Sequence, residues 1–386
     1  MRLRLVWCGL VSGGLALSSQ VLIPGSPAFA STSCYSAEPS GHCYGIMVGD
    51  YAGPASAAWG ADVRLNDPCF ADDDYSFANE EIWANTNGAT TGGNFWVEVG
   101  MKAYRSSPST VYNWEFFWAD QKPSGYYEHR LGDAYNPSLN ANHTVSLSYI
   151  GSNKWNVWIE GTKVGTNTAN PGPSYGAQAG LEVRYLHTSA SGSIAHAYHR
   201  NYGSSTKING WGNASSLYLK AEGTTVSWNN GTHHGVTNSR SNSYCPATLT
   251  SAATRRSLAT PSASVDPEKI AVSFAASNGD ADPKITNDIH TTRGAALVTM
   301  GDGDSVSATD SAIPVDVVNM EGDFDGSATS TPPGGTQTRG TDLTVVLDSS
   351  TGHITDWSLT NAPPDLDRAS GGVSSPIPGV IGNGRR

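Results

Sequence analysis

A succession of short strand-like runs between residues 31 and 250 constrains the fold most. The runs either alternate apolar with polar side chains or are rich in aromatic and β-branched residues, and clusters of Gly, Asn, Ser and Pro separate them. No long stretch of this part repeats its apolar residues with a helical period. Many short strands with frequent turns predict an all-β fold, a two-sheet antiparallel jelly-roll sandwich, and not a parallel α/β fold.

The aromatic residues divide the chain into two parts of different character. All 16 tyrosines and all but one of the 11 tryptophans precede residue 250. The segment that follows is rich in Ser, Ala, Thr and Pro, which is typical of a flexible linker. The predicted division is a signal peptide over 1–30, a β-sandwich domain over 31–250, a linker over 251–266, a small α+β accessory domain over 267–370 and a disordered tail over 371–386.

The part after the linker begins with a helix signal. In "DPEKIAVSFAASNGD" an Asp and a Pro precede apolar residues at helical spacing, and a Gly follows them. Three strand-like runs come next, "ALVTMG", "IPVDVVNMEGDF" and "TDLTVVLDSSTGHITDWSLT", of which the last is typical of a hairpin. One helix and several strands therefore predict the small α+β domain.

The N-terminus has the features of an export signal. Two arginines, an apolar run and the small-residue pattern Ala28-Phe29-Ala30 follow one another, which predicts a secreted, extracellular protein that begins at Ser31. No later stretch approaches the roughly 20 apolar residues that a membrane span needs. The net charge of −11 argues against nucleic acid and anionic membranes, since both bind basic surfaces.

Four cysteines lie beyond the predicted signal peptide. An even number in an exported chain predicts two disulfides, for which three connectivities exist. We favour a local bridge between Cys34 and Cys43, and a bridge between Cys69 and Cys245 that joins the two ends of the β domain. Their spacing is irregular and contains no C-x-x-C pair, so we expect no metal at the thiols, and the sequence predicts no metal or cofactor elsewhere.

Two glutamates lie in the middle of predicted strands, opposite apolar faces. In "NFWVEVG", Glu98 shares a strand face with Trp96, and in "GLEVRYL", Glu182 shares a face with Arg184. Two such carboxylates on one concave face are the pattern of an acid/base pair, in which one holds a proton while the other acts as base. The alternative is that both are solvated polar residues on an exposed face of an antiparallel sheet.

Three stretches carry a resemblance to a known family. The runs "NFWVEVG", "NWEFFWADQKPSGYYEHRL" and "AQAGLEV" resemble the bacterial relatives of neprosin and, more distantly, the eqolisin glutamic peptidases, over about residues 55–245. The resemblance implies a jelly roll that hydrolyses polypeptides at acidic pH with a catalytic pair on its concave face. Glu98 matches the first member of the pair, because it precedes x-Gly, and Glu182 matches the second. The residues expected to bind substrate are Trp96, Trp118, Tyr126, Tyr127, His129 and Arg184.

The C-terminal hairpin resembles the small PepSY-type modules of exported bacterial proteins. Such modules are sometimes attached to peptidases as inhibitory or chaperone segments, so the resemblance implies an intramolecular regulator, removable at the dibasic pair Arg255–Arg256.

Two rival functions use the same residues. One is a jelly-roll glycosidase of xylanase type, which acts on polysaccharide with two glutamates on an aromatic-lined face. The other is a carbohydrate-binding or adhesion module without catalysis. If Glu98 and Glu182 pointed to different faces or lay far apart, both enzyme interpretations would fail and the binding module would remain.

Overall fold

The structure is a computed structural model of the 386-residue chain. The residues that it describes are 29–30, 34, 41–50, 55–70, 76–86, 94–105, 113–132, 135, 137–168, 170, 172–184, 188–211, 216–229, 234–241, 266–300 and 303–365. All of the predicted linker except Asp266, the dibasic pair and the predicted tail beyond residue 370 lie outside the described residues.

Strands dominate the part before residue 250. They are β1 (Phe29–Ala30), β2 (His42–Asp50), β3 (Ser56–Phe70), β4 (Ser76–Asn85), β5 (Trp96–Arg105), β6 (Asn113–Lys122), β7 (Gly125–Leu131), β8 (His143–Gly151), β9 (Lys154–Ile159), β10 (Thr162–Asn167), β11 (Gly176–Arg184), β12 (Thr188–Asn201), β13 (Ile208–Asn209), β14 (Ser216–Glu222), β15 (Thr225–Trp228) and β16 (Val236–Arg240).

The part after residue 265 mixes helices with strands. Its elements are α1 (Pro267–Ala276), β17 (Lys284–Thr292), α2 (Arg293–Thr299), β18 (Ser305–Val306), α3 (Ala308–Ser311), β19 (Pro314–Phe324), β20 (Gly340–Asp348) and β21 (Ile354–Thr360). The predicted helix and hairpin are both confirmed. Asp266 caps α1 by accepting a hydrogen bond from the Lys269 backbone N–H, and β20 and β21 pair as neighbours.

One strand prediction in this part is wrong. The run "ALVTMG" is not a strand, because most of it lies in helix α2, which Thr292 caps through a hydrogen bond from the Ala295 backbone N–H. Short apolar runs fit both periods, and here the buried side chains of Ala296 and Met300, four residues apart as on one face of a helix, pack with Leu297 against the sheet.

The strands form two large antiparallel sheets that pack as a jelly-roll sandwich, as the sequence predicts. Sheet I has the strand order β1-β15-β16-β12-β3-β8-β9-β10-β18, with β13 beside β12, and sheet II has the order β14-β2-β11-β4-β5-β6-β7-β21-β20-β19-β17. Apolar side chains of both sheets meet in one buried cluster, with Val97 and Val99 from β5 facing Trp59 and Val63 from β3. The predicted core face of "NFWVEVG" is thereby confirmed.

The C-terminal elements continue sheet II. Strand β21 pairs antiparallel with β7, with Trp357 opposite Glu128. Helix α1 lies on the face of sheet II that points away from sheet I, where its Phe274 packs edge-on against Trp357 with ring centroids 5.1 Å apart. This second face of sheet II is therefore covered by the C-terminal part, whereas the sequence pattern predicts an outer face, either a concave cleft or a solvated surface.

The disulfide between Cys34 and Cys43 is confirmed. Cys69 is disulfide-bonded as well, and Cys245, its predicted partner, lies outside the described residues. Among the described residues, no helix is both long and apolar enough to cross a membrane.

Candidate active site

Three buried glutamates face one another on the covered face of sheet II. Strand register places Glu182 of β11 opposite Asn79, and Glu98 of β5 opposite Trp83, while Glu81 of β4 lies between them. We call Glu81, Glu98 and Glu182 the carboxylate cluster. None of the three side chains has any exposed surface, so the interpretation of Glu98 and Glu182 as solvated residues is wrong.

Glycines flank the middle member of the cluster on both neighbouring strands. Gly180 of β11 and Gly100 of β5 lie opposite Glu81 on either side. A Cβ atom added at Gly100 would lie 2.4 Å from the Glu81 Cβ, and one at Gly180 would lie 2.4 Å from the Gly45 carbonyl oxygen. The absence of a side chain at Gly100 therefore leaves room for Glu81, whereas Gly180 lets β11 lie close to β2.

A serine hydroxyl from the C-terminal part joins the cluster. The Ser330 Oγ lies 2.7 Å from Glu182 Oε2, 3.0 Å from Glu98 Oε2 and 3.3 Å from Glu81 Oε1. Because both oxygens bond the same hydroxyl, Glu98 Oε2 and Glu182 Oε2 are within about 6 Å of each other. Ser330 belongs to the loop between β19 and β20, and we call its segment Ser327–Pro333 the strap.

The Ser330 hydroxyl has a single proton, so it donates to one carboxylate and accepts from the others only if they are protonated. Burial, and then the charge of Glu182, raise the pKa of Glu98 to about 8. Burial, and then the charges of Glu98 and Glu182, raise the pKa of Glu81 well above its ordinary value. Glu98 therefore holds its proton at neutral pH and can donate to the hydroxyl.

Glu182 accepts the largest number of hydrogen bonds in the cluster. His42 Nδ1 lies 2.6 Å from its Oε1, and the Thr331 backbone N–H donates to the same oxygen at 3.2 Å. Asn79 Nδ2 donates to its other oxygen at 3.3 Å. This set of partners suits a carboxylate that acts as an acceptor, whereas Glu98 suits a donor.

A buried lysine and a tyrosine extend the site. Lys102 Nζ lies 2.6 Å from Glu128 Oε2. Burial alone would raise the pKa of Glu128, but the charges of Lys102 and Arg130 lower it to about 2. The Tyr126 hydroxyl lies 3.1 Å from Glu98 Oε1 and 3.2 Å from Glu128 Oε2, and it therefore connects the ion pair to the cluster.

The structure brings three of the six expected substrate-binding residues to this face. Trp96 belongs to the same buried apolar cluster as Tyr126, whose hydroxyl contacts Glu98. Arg184 Nη2 donates to Ser327 Oγ of the strap at 2.8 Å.

The other three expected residues are not near the pair. Trp118 lies opposite Val99 in the strand register and shares its face, so it packs between the two sheets. His129 stacks on Trp118 with centroids 3.9 Å apart, and Tyr127 packs against α2 residues. Alternation along β6 and β7 sends these three side chains to the face opposite Glu98.

Several residues of the site were not singled out in the sequence. Lys102 had a signal, since it lies opposite the apolar face of β5 that includes Met101 and Ala103. Glu81 had a weaker one, because Glu80 interrupts the apolar face opposite it.

His42 and Ser330 had no such signal in the sequence. His42 reaches the cluster through the non-local pairing of β2 with β11, and Ser330 reaches it through the loop after β19. Among the described residues, no group of three or more His, Cys, Asp or Glu side chains has the arrangement of a metal site.

Comparison with known proteins yields only distant similarity. No known protein family and no curated protein matches the sequence. Among solved structures, SCP-B, a member of the eqolisin family of peptidases, aligns over 52% of this chain and 98% of its own, with 9% identity and a TM-score of 0.34. The β-glucanase of Bacillus licheniformis aligns over 49% of this chain and 67% of its own, with 9% identity and a TM-score of 0.23. Similarity at this level has no bearing on activity.

The titrating groups of the site predict how stability depends on pH. The raised pKa of Glu98 stabilises the folded state fully below pH 4.5, and this contribution is lost as pH rises through about 8. The raised pKa of His129 changes the stability of the folded state with pH in the same direction. Burial lowers its pKa, but Asp304 and Asp356 raise it to about 9, so its contribution is present below pH 6.5 and lost through pH 9. Glu128 acts oppositely, and its contribution is lost as pH falls through about 2.

We therefore expect the melting temperature of the chain to be highest near pH 4.5 and to fall toward pH 9 and toward pH 2. Each group contributes roughly 1 kcal/mol per pH unit within its interval. Thermal unfolding followed by circular dichroism across this range measures the effect. Glu98→Gln should flatten the decline between pH 4.5 and 8. A melting temperature that rises from pH 5 to pH 8 would contradict the buried, protonated state of Glu98.

Proposed function

We propose that the chain is a secreted glutamic-peptidase-like hydrolase that uses Glu98 and Glu182 to activate water on peptide bonds at acidic pH. The observation that supports this most is the Ser330 hydroxyl, bonded to both carboxylates inside a cleft that a polypeptide segment fills. Export follows from the predicted signal peptide, and the Cys34–Cys43 disulfide is in keeping with an oxidising compartment.

The two glutamates take different roles in the proposed reaction. Glu182, the better acceptor, removes a proton from water, and the resulting hydroxide adds to the carbonyl carbon of the substrate. Glu98 is protonated below about pH 8 and donates its proton to the carbonyl oxygen as the tetrahedral intermediate forms. When the C–N bond breaks, the proton held by Glu182 passes to the leaving amine. One hydroxyl of the intermediate returns its proton to Glu98 as the carbonyl group re-forms, so both glutamates regain their starting states.

Surrounding groups keep the pair in these states. The Tyr126 hydroxyl lies against Glu98, and burial, followed by the charges of Glu98 and Glu128, raises the pKa of Tyr126 so that it stays a donor. His42 and Asn79 hold the Glu182 carboxylate from two sides. Acidic pH is compatible with the mechanism because Glu98 carries its proton there, as it does up to about pH 8.

A jelly-roll glycosidase is the second candidate. The spacing of the carboxylates is compatible with it. Retaining glycosidases have a separation of about 5–5.5 Å, and the shared Ser330 hydroxyl sets an upper limit of about 6 Å on the distance between the bonded oxygens of Glu98 and Glu182. The peptide backbone in the cleft favours the peptidase. The non-catalytic binding module is less well supported, because the two glutamates share one face and one hydroxyl.

The test compares the two substrate classes. We expect the full-length chain carrying Ser330→Glu, in which a fourth carboxylate would be expelled from the cluster, to cleave denatured casein at pH 4–6 and to leave xylan intact. New α-amino groups measure the first reaction and new reducing ends the second. Release of reducing ends without α-amino groups would replace the peptidase by the glycosidase. If neither product forms, both functions are refuted.

A further inference from the structure

The strap lies in the cleft with its backbone bonded to the side chains of sheet II. The Ser330 N–H donates to the Tyr126 hydroxyl at 3.2 Å, and the Thr331 N–H donates to Glu182 Oε1 at 3.2 Å. The Thr331 carbonyl accepts from the Tyr44 hydroxyl at 2.7 Å. Recognition of successive backbone groups is how a cleft binds an extended peptide whatever its side chains.

Both ends of the strap are bonded as well. Gln178 Nε2 donates to the Pro333 carbonyl at 3.2 Å, and Arg184 Nη2 donates to Ser327 Oγ at 2.8 Å. The four residues from Ala328 to Thr331 are buried, as are Pro332 and Pro333. The strap is thus enclosed from Ala328 to Pro333, and Ser327 at its start is half-buried.

The Ser330 hydroxyl occupies the place that the reaction needs for water. A hydrolytic water must lie within hydrogen-bond distance of the base Glu182 and near the acid Glu98, and the Ser330 Oγ meets both conditions at 2.7 Å and 3.0 Å. An oxygen that is covalently part of the strap cannot leave as water does. The strap therefore excludes the nucleophile as well as the substrate.

Ion pairs fix the part of the chain that carries the strap. Lys122 of β6 bonds Asp304 at 2.8 Å, and His129 of β7 bonds Asp356 at 2.8 Å. All four side chains are buried. The strap is thus presented by an element that is bound to the same sheet as the carboxylate cluster, at an effective concentration far above that of a free peptide.

We propose that the strap is a tethered pseudosubstrate that keeps the intact chain latent, and that the cleft takes extended polypeptides of small residues followed by proline. This inference rests on the proposed function, since it assigns a regulator and a substrate class to the same pair. The small residues correspond to Ser330 and Thr331, whose backbone groups bond sheet II, and the proline to Pro332. Ala328 and Thr329 precede them in a turn that the Thr329 N–H closes on the Gly326 carbonyl. The enclosed surroundings of these side chains leave little space for larger ones.

The test uses full-length chains that differ by one residue. Ser330→Glu places a fourth carboxylate in the cluster and should expel the strap, and Thr336→Glu adds the same charge to the same loop at an exposed position. We expect casein hydrolysis at pH 6 to rise on the order of tenfold or more in Ser330→Glu and to stay unchanged in Thr336→Glu. Ser330→Gly, which removes only the hydroxymethyl group, should give a smaller rise and serves if the glutamate variant does not fold.

A second measurement does not depend on catalysis. A fluorescent peptide with the sequence of residues 328–335 should bind the Ser330→Glu chain and not the unmodified chain, and a scrambled peptide should bind neither. Equal hydrolysis by the unmodified and Ser330→Glu chains, abolished in both by Glu98→Gln, would overturn the latency and leave the proposed function standing. If no chain hydrolyses casein, the proposed function fails, and peptide binding then tests the pseudosubstrate by itself. The pseudosubstrate is overturned if the peptide does not bind the Ser330→Glu chain, or if it binds the unmodified chain equally well.

Discussion

Glutamine in place of either Glu98 or Glu182 is expected to lower casein hydrolysis by about 10²- to 10⁴-fold in chains that carry Ser330→Glu. The two losses have different causes. Glu182→Gln removes the group that takes a proton from water, and Glu98→Gln removes the proton that the carbonyl oxygen would receive. Initial rates of α-amino group release at pH 4–6 measure both.

The pH profile separates the two roles. If Glu98 is the acid, the activity of the Ser330→Glu chain should fall as pH rises through the pKa of that group, which is about 8 while the site is enclosed. In Glu98→Gln the residual activity should lose this alkaline limb, because no proton remains to be lost at this position. In Glu182→Gln the limb should remain.

A matched control lies one residue from the cluster. Glu80 precedes Glu81 on β4 and is fully buried, but its side chain faces sheet I, where Glu80 Oε1 accepts from Asn238 Nδ2 at 2.9 Å. Burial raises the pKa of Glu80, so a neutral glutamine is a close substitute for it. Glu80→Gln should leave hydrolysis unchanged. Equal losses in Glu80→Gln and Glu98→Gln would show a folding defect, and full activity in either Glu98→Gln or Glu182→Gln would refute the pair.

Strand alternation was enough to predict the face of the two glutamates. A period of two residues puts Glu98 opposite Val97 and Val99, and the structure confirms that these valines fill the core between the sheets. The same rule did not keep Trp118 and His129 from the list of expected site residues. Their position relative to Glu98 depends on how β5, β6 and β7 pair with one another. The sequence of a single strand does not specify that pairing.

The burial of the site was beyond prediction from the sequence. Strand β21 joins β7 across more than 200 residues, and this pairing places the strap over the cluster. Nothing in the local pattern around Ser330 distinguishes it from an ordinary loop rich in Ser, Thr and Pro. The exposed-face interpretation of Glu98 was wrong for this reason, since a strand pattern shows which side chains share a face but not what covers that face.

The chain should also lose much of its stability when the C-terminal part loses one buried arginine. Arg293 Nε and Nη2 donate to the two oxygens of Asp356 on β21 at 2.7 Å and 2.9 Å, and Nη2 also donates to the Arg130 carbonyl on β7 at 2.9 Å. Arg293 thus bonds both strands at the junction between the sandwich and the C-terminal part. Arg293→Met would leave the buried Asp356 carboxylate without its guanidinium partner.

We expect Arg293→Met to lower the free energy of unfolding by about 3–5 kcal/mol, measured by urea denaturation at pH 6. Burial by itself raises the pKa of Asp356, and the Arg293 charge is the main reason why that pKa is nevertheless low. Lys284→Met is the control, because the Lys284–Glu321 pair is largely exposed and its loss should cost less than about 1 kcal/mol. Hydrogen exchange should also become faster at the Ser330 and Thr331 amides in Arg293→Met, since the strap is held by the part that Arg293 anchors. Equal stability of the two variants would mean that the β7–β21 junction does not depend on this ion pair.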